Sequence, residues 1–425
     1  MKPTIPLLLE EIATTHGSYP AQMTKNEAGE FQPTTFTELL GNVDEFAAGL
    51  SALGVSRGDH VGLISENRCE WFVADLAVLS LGAADVPRGN DTLPAEVAYI
   101  LGFAECAIVC VEDRVQAQKV LSVRGKLPLL KTIILLADDE INSSLTDEAG
   151  DVSLVDFTHV SMEGRRVLHA NPDMIRAERA KGAADDVATV IFTSGTTGIP
   201  KGVMLTHENF LHQVRHVPDL IEVGPGDIWL CVLPVWHSFE RIMQYVALGS
   251  SSCLAYSKPV GRILIEDLGK ASPTWMASVP RIWEAVMASV YRNVKTQSAL
   301  KQAMFRFFVA AGNTHANLTN MLRGRLPRFT KRNRAADAAV SFLPWLLLYP
   351  IRALGNLLVF GKLKKLLGGR FVAGISGGGA LPSAVDAFFQ AAGILLLEGY
   401  GLTETGPVLG VRAQRHPVPG TVGPV

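Results

Sequence analysis

Four hydroxyl residues, three glycines and one lysine are crowded into the run Thr193-Ser194-Gly195-Thr196-Thr197-Gly198-Ile199-Pro200-Lys201-Gly202. Glycines let backbone N–H groups approach anionic oxygens, the hydroxyls add donors, and the lysine adds a point charge, so the run has the chemistry of a phosphate cradle. It is not a P-loop, which requires G-x-x-x-x-G-K-[ST], because Pro200 precedes Lys201 and Gly202 follows it. By composition alone, a flexible Gly/Thr surface loop is an equal alternative. A second run, Glu398-Gly399-Tyr400-Gly401-Leu402-Thr403-Glu404-Thr405-Gly406, places an acid and an aromatic among small residues. An acid beside a phosphate cradle repels its ligand unless a cation intervenes, which gives Glu404 a reason to ligate Mg²⁺ near ATP phosphates. Tyr400 offers a flat face to a base, and the competing reading is a plain turn with an exposed acid and a packed tyrosine. The third run, Ser376-Gly377-Gly378-Gly379-Ala380, reads as a tight turn that lets backbone come close to a ligand.

Elements must hold these runs in place. Leu39, Leu40, Val43, Phe46, Leu50 and Leu53 recur at helical spacing, which predicts an amphipathic helix from an N-cap at Thr37 to a stop at Gly54. Short β-rich runs follow at His60 to Ile64, Cys106 to Val111, Thr132 to Leu136, Val187 to Phe192 and Ile228 to Leu233, separated by helical segments such as Glu70 to Leu81 and Pro94 to Phe103. That alternation makes parallel sheets. Phe371 to Ile375 and Ile394 to Leu397 flank a helix near Pro382 to Ala392, so the βαβ rhythm returns, while Arg281 to Lys365 reads as a mostly helical insert. Ala137 to Gly150, with five acids, reads as a surface loop. Ligands of open α/β sheets sit beyond the carboxyl ends of strands, so the loops after Phe192, Ile375 and Leu397 are where chemistry is expected.

Together, the run Thr193 to Gly202, the run Tyr400 to Glu404, the triple glycine before Ala380-Leu381-Pro382 and the closing Gly420-Thr421-Val422-Gly423 resemble the adenylate-forming enzymes: acyl-CoA synthetases, luciferases and peptide-synthetase adenylation domains. Within that superfamily, Leu233-Pro234-Val235-Trp236-His237-Ser238-Phe239-Glu240-Arg241 and Val279-Pro280-Arg281-Ile282-Trp283-Glu284 are similar to the long-chain fatty acyl-CoA synthetases. The resemblance covers essentially the whole chain. It implies a doubly wound α/β fold, with mainly parallel sheets and helices on both faces, that uses ATP, Mg²⁺, coenzyme A and a fatty acid. By this resemblance Thr193, Ser194, Gly195, Thr196, Thr197, Gly198 and Lys201 hold the ATP phosphates. Gly377, Gly378, Gly379, Tyr400, Gly401 and Thr403 complete the nucleotide site, and Glu404 with Thr193 binds Mg²⁺. Lys201, Glu404 and His237 are the expected catalytic residues, and His237 with Trp236 borders the acyl group. Residue chemistry leaves both open: His237 could be a core imidazole, Trp236 a core tryptophan instead of a tunnel gate, and Glu240 with Arg241 an ordinary ion pair. The family pattern continues after Gly423 through a Thr-Gly-Asp segment, a hinge and a small lysine-bearing domain, none of which precedes Val425. Residues 1–425 are accordingly expected to be an N-terminal adenylating domain, incomplete at its C-terminus and impaired in activity. Two other readings stay open: a nucleotide- and lipid-binding module without turnover, and an adenylating enzyme that serves a carrier protein.

Composition removes other classes. At 48% hydrophobic and 19% charged residues, the chain is not intrinsically disordered, and a formal charge of −2 offers no global attraction for nucleic acid. Five cysteines without a C-x-x-C pair argue against a zinc site or disulfide framework and for a reducing, cytoplasmic compartment. Ala338 to Ile351, the longest uncharged apolar run, is only 14 residues long and contains Pro344 and Pro350, so no transmembrane helix is expected. Arg323, Arg325, Arg328, Lys331, Arg332 and Arg334 precede it, and Arg352, Lys362, Lys364 and Lys365 follow. These cations read either as a solvated face beside a buried helix or as a patch for peripheral association with an anionic inner membrane face.

Overall fold

In the computed structural model, residues 2–137, 141–193, 198–327 and 333–423 are described. The strands form two sheets. The first runs, in spatial order, Ser153–Asp156, Thr132–Leu135, Ile108–Val111, His60–Ile64, Ala84–Arg88, Val187–Thr193 and Lys201–Thr206. The second runs Val408–Val411, Leu395–Gly401, Ala373–Ser376, Trp275–Ser278, Ile228–Cys231, Cys253–Tyr256, Pro20–Lys25 and Phe31–Thr35. Pairing is parallel except where hairpins join neighbours: Val187–Thr193 with Lys201–Thr206, Leu395–Gly401 with Val408–Val411, and Pro20–Lys25 with Phe31–Thr35. Central strands such as Ile108–Val111 and Trp275–Ser278 are buried along their whole length, as parallel strands covered on both faces must be. Helix Cys69–Ser80 is buried from Trp71 onward and belongs to the main core, matching a sequence that is apolar from Trp71 to Leu79 except at Asp75. The expected doubly wound α/β class with flanking helices is what the chain adopts.

Local corrections have physical causes. The second helix, Phe36–Ala52, starts from Thr35 and not Thr37, because Thr35 and Glu38 form a reciprocal capping box. Within Ala137 to Gly150, Ser143–Ala149 is helical, capped by the Asn142 side chain on the Leu145 N–H, so the polar stretch is not simply a loop; residues 138–140 lie outside the described residues. Glu240 and Arg241 do not pair with each other. Gln244 donates to Glu240, and burial pushes the Glu240 carboxyl up to about 8, so it is largely neutral at pH 7. Arg241 reaches Asp75 on the helix between the sheets, Asp85 (2.9 Å) and the Thr189 hydroxyl (2.8 Å) on the first sheet, and Tyr245 (2.9 Å) on its own helix. This fully buried cluster ties the two sheets together.

The insert contains helices Pro280–Lys295, Ala299–Leu322, Arg334–Gly355 and Gly361–Leu366, the last two joined through a π-turn. Pro344 and Pro350 do not end the third of these, contrary to the expectation drawn from them. A proline deprives the carbonyl four residues earlier of its donor, and those residues, Val340 and Leu346, lie on the exposed side where another donor can reach them. The helical stretch Arg334–Leu366, 33 residues long, is therefore long and apolar enough to cross a membrane by length and composition, which the 14-residue run was not.

Candidate active site

The carboxyl ends of strands from both sheets border one cavity of about 340 Å³. The first sheet contributes Thr193 from the end of Val187–Thr193. The second contributes Ile375, Gly377 and Gly378 after Ala373–Ser376, and Gly399 through Glu404 at the end of Leu395–Gly401. His237, Ser238 and Phe239 enter from the start of helix Ser238–Gly249. Parallel strands all deliver their loops to the same edge, which is why segments separated by 200 residues of sequence meet there.

Tight backbone geometry shapes the floor. A Cβ on Gly401 would overlap the Pro407 carbonyl oxygen, so only glycine permits the hairpin to fold back there. Gly378 has φ +73°, and a Cβ on Gly377 would come within 2.9 Å of the Phe239 ring. Ser238 and Thr403 share a hydrogen bond of 3.1 Å, which fixes the helix start against the turn carrying Glu404. Glu404 is exposed on the wall, with no hydrogen bond or ion pair among the described residues. The Nδ1 of His237 accepts the Phe239 N–H at 3.2 Å, capping its helix, so the neutral ring carries its proton on Nε2. Its ring is open to the cavity, yet the surrounding wall restricts solvation enough to hold the imidazole below its ordinary pKa. His237 is therefore a cavity residue and not a core imidazole.

Arg412, fully buried, pairs with Asp386 at 2.9 Å and Glu398 at 3.0 Å, and Glu398 also accepts the Leu381 N–H at 2.8 Å. These bonds lock the strand bearing Tyr400 to the glycine turn. Sequence reasoning missed them, along with the apolar wall formed by Val217, Phe239, Met243 and Val411. An arginine directly after an apolar strand was the available signal for the first; nothing in local sequence marked the second.

Other expected residues lie beside the cavity. Gly379 follows the lining glycines but does not line it, and Lys201 is exposed in the strand facing Thr193 in register. Gly198 (φ +79°) belongs to the hairpin connection, and Ser194, Gly195, Thr196 and Thr197 lie outside the described residues. The glycine and threonine run therefore connects antiparallel strands instead of opening a helix, which separates it structurally from a P-loop. Trp236 is not in the cavity wall. Its Nε1 donates to Glu66 (3.4 Å), Arg88 stacks over its ring at 5.7 Å, and it packs on Gly89, all at strand ends or in loops of the first sheet. Among the described residues no group of three or more His, Cys, Asp and Glu could hold a metal ion. A metal here would have to share its coordination with substrate oxygens.

Comparison with known proteins agrees with this geometry. The AMP-binding enzyme family model matches residues 9–425. The chain belongs to the AMP-binding enzyme family. A long-chain-fatty-acid–[acyl-carrier-protein] ligase of Arabidopsis thaliana, AEE15, is 31% identical over 399 residues, covering 92% of this chain and 54% of its own length. The long-chain-fatty-acid–CoA ligase FadD15 of Mycobacterium tuberculosis is 29% identical, covering 93% of this chain and 60% of its own. This AMP-binding chain thus spans little more than half the length of these relatives. Among solved structures, ATP-bound MatB from Rhodopseudomonas palustris shares 21% identity with a TM-score of 0.62 over all of this chain and 65% of its own. The anthranilate CoA ligase AuaEII in complex with anthranoyl-AMP has a TM-score of 0.66 at 17% identity, covering 100% and 65%. These likenesses identify the AMP-binding fold.

Proposed function

We propose that this chain carries the adenylating half-reaction of a long-chain fatty acid ligase. The observation that carries the proposal is the meeting of Thr193, His237, Gly377, Gly378, Tyr400, Thr403 and Glu404 around one cavity at the strand ends; relatives named as long-chain fatty acid ligases supply the substrate class. A carboxylate oxygen of the fatty acid attacks the α-phosphorus of ATP. The new C–O–P bond forms as the bridging P–O bond to the β-phosphate breaks, and pyrophosphate leaves with that electron pair. A thiol then attacks the acyl carbonyl carbon and releases AMP.

Both reactants of the first step are anions, so catalysis consists mainly of alignment and neutralisation. Lys201, opposite Thr193 in the hairpin, supplies the positive charge to the phosphates together with backbone amides of residues 193–198. Gly377, Gly378 and Tyr400 border the base, and His237 borders the carboxylate with its Nε2–H as donor. The residues fit Mg²⁺: a single exposed carboxylate, Glu404, and the Thr193 hydroxyl suit an ion that keeps water and phosphate ligands instead of a protein cage. When bound, the ion neutralises phosphate charge.

The thiol is read as coenzyme A, as in the FadD15 relative. The carrier-protein ligase among the relatives favours a phosphopantetheine thiol as the second reading. The test is binding of non-hydrolysable acyl-adenylate analogues of increasing chain length, followed by ATP/pyrophosphate exchange with the matching acids. Affinity rising with chain length, and exchange dependent on the acid, are expected. Affinity that peaks at a short or aromatic acyl group would remove the fatty acid reading. Side-by-side acceptor assays with coenzyme A and carrier protein then separate the two thiols.

A further inference from the structure

Helix Arg334–Gly355 presents two unlike sides. One is docked: Ser341 and Gly355 are buried, the Trp345 Nε1 donates to the Thr319 hydroxyl at 3.0 Å, and Arg352 donates to the Ala391 carbonyl at 3.2 Å. A Cβ on Gly355 would lie 2.7 Å from the Phe308 ring, so the contact with helix Ala299–Leu322 is close. The other side carries Val340, Phe342, Leu343, Leu347 and Leu354 and continues into the π-turn at Leu357, with Val340 at 69%, Leu347 at 65% and Leu357 at 77% exposure. Most of these recur at intervals of three, four or seven residues, so they form a stripe along one face. Contiguous apolar exposure of this extent marks an interaction surface, because leaving it in water forgoes its transfer free energy.

Charge selects the partner. From residue 334 to 370 the sequence carries six Lys and Arg against one acid, Asp337, in a protein whose formal charge is −2. Arg334 begins the helix, and Lys362 and Lys365 stand exposed beyond its end. An apolar stripe flanked by cations matches a bilayer surface with acyl chains beneath anionic headgroups. We propose that this helix docks the protein on anionic membranes, lying in the plane of the interface with the Val340 to Leu357 face among the acyl chains. Its length and composition alone would also permit crossing, but its docked side is committed to the protein body.

The test uses the 425-residue chain with vesicles of pure phosphatidylcholine and of phosphatidylcholine with phosphatidylglycerol, read by co-sedimentation. The parent is expected to pellet with the anionic vesicles and to be released by high salt. Lys362→Gln and Lys365→Gln should each weaken binding about fivefold. The pair Leu343→Glu and Leu347→Glu should weaken it more than about tenfold. These positions are exposed, so unchanged thermal midpoints should accompany the losses. Parent protein that stays in the supernatant with both vesicle types overturns the proposal. So does a parent dimer in lipid-free buffer that the Leu→Glu pair converts to monomer, since the face would then cover a second copy. Retention after salt and carbonate washing overturns the in-plane placement in favour of a spanning helix. None of these readouts involves adenylation, so failure of either proposal leaves the other standing.

Discussion

Glu404 stands on the cavity wall without a partner among the described residues, so replacing it tests ligand chemistry with little structural cost. Glu404→Gln keeps the side-chain size and removes the charge. Its thermal midpoint should match the parent's, while Mg²⁺ should no longer enhance ATP binding in calorimetry; an intact Mg²⁺ effect would place the metal elsewhere. Lys201→Ala should weaken ATP binding by roughly 1.5 to 3 kcal/mol, the range for a charge-assisted hydrogen bond, and identical titrations would remove Lys201 from the phosphates. Gly401 tests shape instead of charge. Because a Cβ there meets the Pro407 carbonyl oxygen, a backbone atom that cannot rotate away, Gly401→Ala should destabilise the chain by about 1 to 3 kcal/mol and perturb nucleotide binding as well. A midpoint of urea unfolding equal to the parent's would show that the hairpin can relax.

At the scale of elements, Arg241 is the tie between a helix of the second sheet, the central helix and two strands of the first sheet. Arg241→Met would leave Asp75 and Asp85 buried without their cation, and breaking such a cluster from one side costs about 3 to 5 kcal/mol. Adding Asp75→Asn and Asp85→Asn removes the stranded charges, so the triple variant should recover part of that loss in denaturant titrations. If the triple variant is as unstable as Arg241→Met, uncompensated charge is not the cause. Arg412 performs a similar task next to the cavity, joining Asp386 and Glu398 and thereby the strand and the glycine turn.

Across the whole molecule, acid stability has a marker in His207. It is almost fully buried at the start of helix His207–Leu220, and its Nδ1 accepts the Ile5 N–H, which joins the N-terminal helix to the core. Burial lowers its pKa from 6.5 to about 4, with nearby Arg241 and Arg57 adding to the shift and Asp186 opposing it. Between those values the unfolded chain binds a proton that the native chain refuses, so native stability falls as pH drops from about 6.5 to about 4. The full effect is roughly 3 kcal/mol. His207→Gln keeps polar atoms at the site but cannot titrate; it should flatten this part of the stability profile relative to the parent, and parallel profiles would exclude His207 as a source of acid lability.

Short-range order was legible in the sequence because periodicity and punctuation report local geometry. Strand His60–Ile64 and helix Pro94–Phe103 fall where alternation, apolar runs and Pro94 place them, and three glycine-rich runs at strand ends marked the cavity edge before any coordinate. Their combination and order also carried the family. Tertiary structure alone decided which distant groups meet. Trp236 turned to Glu66 and Arg88, Arg241 took Asp75 and Asp85 over its neighbour Glu240, and Val217 and Met243 became cavity wall, all because sheet order sets those distances and sequence separation does not. The apolar run near Ala338 shows the same limit: composition fixes how much hydrophobic surface a helix has, but only its neighbours determine whether that surface faces a core or is left outward.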